Sequence, residues 1–110
     1  MDKANRDAIM QHIKKGRFIS TNGKILRILN MIDIKERYLN SLCTVMQDVT
    51  MNDFRNSLLY LLESGYIRLD HPDGAACLET GPLDVPVGVE ITGTGLELLM
   101  GIKDNPAVEV

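Results

Sequence analysis

The sequence predicts an α+β domain, and three observations lead to that class. Residues 50–67, TMNDFRNSLLYLLESGYI, combine a capped amphipathic helix, a glycine stop and the start of a strand. Some twenty residues later VGVEI alternates as a second short strand, and TGTGLELLMG resumes helical spacing. Upstream lie further helical patterns whose apolar faces are too wide for isolated helices. A chain of 110 residues with 45% apolar composition suits a single core.

Along the chain, residues 3–15 carry Ile9, Met10 and Ile13 at helical spacing among Lys3, Arg6, Lys14 and Lys15. Gly16 is expected to end this helix, which makes residues 1–16 an N-terminal unit and residues 17–22 a connector. Residues 23–32 form a core helix through Ile25, Leu26, Ile28, Leu29 and Ile32. Residues 35–47 form the next, burying Tyr38 or Leu39 with Leu42, Val45 and Met46. Thr50 is the N-cap of helix 51–64, with Asp53 as its capping-box partner. Phe54, Leu58, Leu61 and Leu62 are its buried face, and Gly65 is its C′ residue.

Residues 66–69 and 87–91 alternate as the two strands of a hairpin. Residues 70–86 hold three of the four prolines and two turn glycines, and are expected to be loop. Thr92 or Thr94 caps a last helix, 94–103, whose inner side is Leu96, Leu98, Leu99 and Ile102. Residues 104–110 are expected to be a loose tail. Strands this short need the helices beneath them, and the helices need the strands to cover their apolar faces.

The passage FRNSLLYLLESGYIRL, with Phe54, Ser57, Leu58, Leu61, Glu63, Gly65 and Ile67, resembles the recognition-helix-to-wing passage of winged helix-turn-helix proteins. ITGTGLELL, with Thr92, Gly95 and Leu98, resembles that family's return strand and closing helix. The resemblance covers residues 23–103 and selects no subfamily. It implies a three-helix core, a two-stranded wing, and additional N-terminal and C-terminal helices. It also implies a small DNA-binding transcriptional regulator with helix 51–64 in the major groove.

On that reading Met51, Asn52, Arg55, Asn56 and Tyr60 face bases, because Arg pairs with guanine and Asn with adenine. Lys14, Lys15, Arg17, Lys35, Arg37, Thr50 and Arg68 are the candidates for the phosphate backbone. The first half of the chain supports this, with ten Lys/Arg against six Asp/Glu in residues 1–55. The second half opposes it: residues 56–110 carry two against nine, and the wing loop has Asp70, Asp73, Glu79 and Asp84 but no Lys or Arg. An acidic wing suits a protein partner better than phosphate, so the alternative is a winged-helix interaction module or assembly subunit without DNA contact. A homodimer is expected in either case, by analogy with the family.

An enzyme is not expected, since no nucleophile–base pair or carboxylate dyad is present. Gly93 and Gly95 lack the Lys-Ser/Thr of a phosphate loop and suit a helix start instead. No cofactor or metal is expected. Cys43 and Cys77 are far apart, and His12 and His71 are isolated. No apolar run reaches the length of a membrane helix, and the N-terminus lacks a signal-peptide core, so a cytoplasmic protein is the expectation.

Overall fold

A computed structural model describes residues 3–110 as an α+β fold with five helices and one two-stranded antiparallel sheet. Helix α1 (Lys3–Met31) is followed by a 3₁₀ turn (Ile34–Glu36), α2 (Leu39–Val45) and α3 (Met51–Glu63). Strand β1 (Ile67–Leu69), α4 (Gly74–Thr80), β2 (Val89–Ile91) and α5 (Gly93–Leu99) complete the order.

The expected break at Gly16 is absent, and one 29-residue helix replaces the two helices and connector. Its length of about 43 Å at 1.5 Å per residue spans most of the 50 Å long axis. Glycine in a helix costs only about 1 kcal/mol, and without a left-handed conformation it does not stop the chain. The helix is carried onward by the burial of residues 21–23 and by the edge-to-face contact of Phe18 with Tyr60, ring centres 5.1 Å apart. Residues 1 and 2 of the expected N-terminal unit lie outside the described residues.

The expected helix 35–47 is also corrected. Tyr38 is extended, with φ −121° and ψ 155°, because its neighbours pair with the strand segment at 87–89. Leu39 N–H donates to Val87 O and Val89 N–H to Arg37 O, each at 2.8 Å. Helix α2 therefore starts at Leu39, which is fully buried, while Tyr38 and Val45 stay exposed.

Helix α3 starts and stops where expected. Thr50 Oγ1 accepts from the Asp53 N–H at 3.1 Å, and Gly65 takes φ +80°, a conformation that suits glycine. The Asp53 side chain turns to Arg17. In the sheet, Ile67 pairs with Ile91, Arg68 with Glu90 and Leu69 with Val89. Thr92 caps α5 by accepting from Gly95 N–H at 3.1 Å and donates to Gly65 O at 2.6 Å, joining the two glycine-bearing turns. A Cβ on Gly95 would lie 2.4 Å from Tyr66 O, so only glycine allows this closure. Helix α5 ends at Leu99 rather than 103, with Gly101 at φ +76°.

Two further expectations fail. The wing segment 70–86 is not all loop, because it contains α4, pinned by the buried Leu78 and Leu83. Nor is the tail loose. Asn22 Nδ2 donates to Ala107 O at 2.9 Å, Arg27 to Glu109 O at 2.6 Å, and Glu109 N–H to Ile19 O at 3.2 Å. Val108 is buried, and a Cβ on Gly23 would lie 1.7 Å from Glu109 O, so the tail crosses α1 where glycine leaves room. The core joins Ile25, Leu26 and Leu29 of α1 to Phe54, Leu58 and Leu61 of α3, with the sheet, α4 and α5 closing around them.

Candidate nucleic-acid interface

Helix α3 has four sides. Phe54, Ser57, Leu58 and Leu61 face the core. On one flank Arg55 Nη1 donates to Leu78 O of α4 at 2.5 Å, and Leu62 lies near Gly74 at the start of α4. On the other flank Asp53 meets Arg17 of α1 at 3.9 Å and Tyr60 packs on Phe18. The Tyr60 hydroxyl accepts from Asn105 Nδ2 at 2.9 Å, and the same nitrogen donates to the Tyr66 hydroxyl at 2.8 Å. The fourth side carries the exposed Asn52, Asn56 and Glu63 around the half-buried Leu59, with Met51 exposed at its N-terminal end.

Of the five residues expected to face bases, Met51, Asn52 and Asn56 are therefore presented to solvent. Arg55 and Tyr60 are not on that side. Arg55 is half-buried and closes the C-terminal end of α4, where a cation complements the free carbonyls. Tyr60 is half-buried between α1 and the tail.

The backbone candidates fall into two groups. Every residue in 3–17 is exposed, including Lys14 and Lys15, and this stretch holds five Lys/Arg against one Asp. Arg17 and Thr50 line one groove of about 550 Å³ beside the start of α3. Lys24 and Asp48 close the same groove at 2.6 Å, and that hydrogen bond holds the exposed Asp48 carboxyl below the ordinary aspartate range. Arg37 and Arg68 line a different groove of about 380 Å³, shared with Asp70 and Glu90, and Lys35 borders the adjoining one. Arg68 faces Glu90 across the strands at 3.3 Å, and Arg37 Nε donates to Ile32 O at 3.2 Å. The two groups share no groove-lining residue, and only Arg17 and Thr50 line the groove at the start of α3.

The acidic residues Asp70, Asp73, Glu79 and Asp84 are exposed on the wing around α4. Among the described residues no group of three His, Cys, Asp or Glu side chains is placed to hold a metal, and no helix is long and apolar enough to cross a membrane. Cys43 and Cys77 are free and half-buried.

Three features of the site had little or no sequence signal. The Arg55–Leu78 contact depends on a main-chain carbonyl 23 residues away. Asn105 joins two tyrosines that are 39 and 45 residues distant. The segment GAACLET of α4 did hold a local hint in its two alanines and Leu78, which the surrounding Pro and Gly outweighed. No family model, no curated protein and no solved structure matches the chain.

Proposed function

We propose that the protein is a small winged-helix DNA-binding protein, and that α3 enters the major groove while the basic half of α1 lies on adjacent phosphates. The winged-helix reading rests on the order of helices and strands and on the pairing of Tyr38 with Gly88, which adds a third edge beside the β1–β2 hairpin. The observation that carries the DNA reading is one of position. The N-terminal end of α3, next to the open side with Asn52 and Asn56, shares a groove with Ile13, Gly16 and Arg17, the last turn of the exposed and basic residues 3–17. Asparagine pairs bidentately with adenine, so base reading falls to Asn52 and Asn56. Lys14, Lys15 and Arg17 supply the phosphate contacts. The role is binding rather than catalysis, and regulation of transcription in the cytoplasm is the setting it suits.

A second reading is favoured by the other flank. Helix α4 holds Arg55 away from the open side and surrounds itself with Asp73, Glu79 and Asp84, which repel phosphate. That flank suits a protein partner, and a module using it would need no DNA.

Selection of duplexes from a random-sequence library separates the readings. The DNA reading predicts a preferred site, with Asn52→Ala and Asn56→Ala each relaxing base preference by about 1–3 kcal/mol at unchanged melting temperature. Arg55→Ala is expected instead to loosen α4 and leave base preference alone. Recovery of no preferred sequence would remove the regulator reading.

A further inference from the structure

The far end of α1 leaves a run of apolar side chains uncovered. Met31 is 81% exposed, Ile34 75%, Tyr38 40%, Met100 60% and Val110 60%. They are contiguous rather than scattered. Met31, Met100 and Val110 line one groove, Met31 and Ile34 line the next, and Ile34 and Tyr38 line a third. Single exposed apolar residues are ordinary, but a continuous strip marks an interaction surface. At these exposures the strip is on the order of 600 Å², against roughly 800 Å² per partner in a standard interface.

The charges along the strip identify its occupant. Around Ile34 and Tyr38 lie Asp33, Lys35, Glu36 and the half-buried Arg37, with Arg68, Asp70 and Glu90 in the same groove, three basic residues against four acidic ones. A phosphate surface or an acidic protein would call for an excess of positive charge, and a basic partner for the reverse. A second copy related by a two-fold axis brings the same mixed charges from both sides, so basic groups of one chain meet acidic groups of the other. The other uncovered stripe, Ile9, Met10 and Ile13, lacks this property. Arg6, Lys14 and Arg17 flank it, and joining two such stripes would crowd like charges.

We infer that the Met31–Ile34–Tyr38 strip, extended by Met100 and Val110, is the surface through which two copies of this chain pair. The inference does not depend on DNA binding. Pairing here covers neither Asn52 and Asn56 nor residues 3–17.

Sedimentation of the full chain over a concentration series tests it. The wild type is expected to be a dimer at micromolar concentration. Met31→Glu and Ile34→Glu should each weaken the dimer more than about tenfold, since each charge enters a two-fold interface twice. Both positions are exposed, so circular dichroism and melting of the monomer should be unchanged. Ile34→Val should retain the dimer, as should Ile9→Glu and Ile13→Glu. A wild type that stays monomeric at high micromolar concentration overturns the inference, and so does a dimer that survives both strip substitutions or dissociates with Ile9→Glu.

Discussion

From residue 18 to 31, α1 buries Ile25, Leu26 and Leu29 against α3, and the tail straps across Asn22, Gly23 and Arg27. From residue 3 to 17 every residue of the same helix is exposed. At about 100° per residue, the stripe of Ile9, Met10 and Ile13 is turned roughly 150° from the face that carries Ile25, Leu26 and Leu29. The first half therefore cannot fold its apolar residues onto its own body. It stays helical because it extends a helix already nucleated and packed, at the low cost of propagation through good helix formers such as Ala, Lys, Arg and Gln. One half of α1 is scaffold, and the other is an exposed, charged arm whose last turn reaches the start of α3.

That difference is open to direct attack. Leu26→Ala or Leu29→Ala empties a fully buried position and is expected to cost about 2–5 kcal/mol in urea unfolding. Ile9→Ala, by contrast, should stay within about 0.5 kcal/mol. Equal losses at both ends would mean that the arm packs on the body.

Gly23→Ala is expected to have a smaller effect. Its Cβ would lie 1.7 Å from Glu109 O, so the tail must shift, at about 1–3 kcal/mol. Hydrogen exchange at the Glu109 amide, bonded to Ile19 O, should lose its protection in that variant. Retained protection would show that the strap does not depend on the glycine.

The smallest expected effect is a gain. No atom lies within 4 Å of a Cβ built at Gly16, and its φ is not positive. Gly16→Ala should therefore raise stability by roughly 0.5–1 kcal/mol, read as a higher melting temperature. A loss there would place a break in the helix between arm and scaffold.

The parts of this structure that were legible in the sequence are those fixed by near neighbours. The Thr50 cap, the apolar spacing of α3, Gly65 and the Thr92 cap each depend on residues within a few positions. The missed parts are fixed from a distance. Tyr38 is extended because the segment around Gly88 pairs with it, fifty residues on. Helix α1 passes through Gly16 because α3 and the tail cover its second half, from Phe18 onward. Helix α4 is short and exists because Leu78 and Leu83 reach the core. The candidate site divides in the same way. Asn52 and Asn56 are exposed on α3 as their sequence positions led one to expect, while the distant partners that draw Arg55 and Tyr60 aside gave no sequence signal.

We propose that the exposed arm of α1 touches phosphate when DNA binds α3. The most direct measurement is the salt dependence of duplex DNA binding by the wild type and by a Lys14→Ala/Lys15→Ala variant. Both lysines are exposed, so folding should be unaffected. Each phosphate contact contributes about −0.9 to the slope of log K against log salt, so the variant's slope should be shallower than the wild type's by about 1.8. An unchanged slope, or a wild type that does not bind duplex DNA even at low salt, would rule out phosphate contact by the arm.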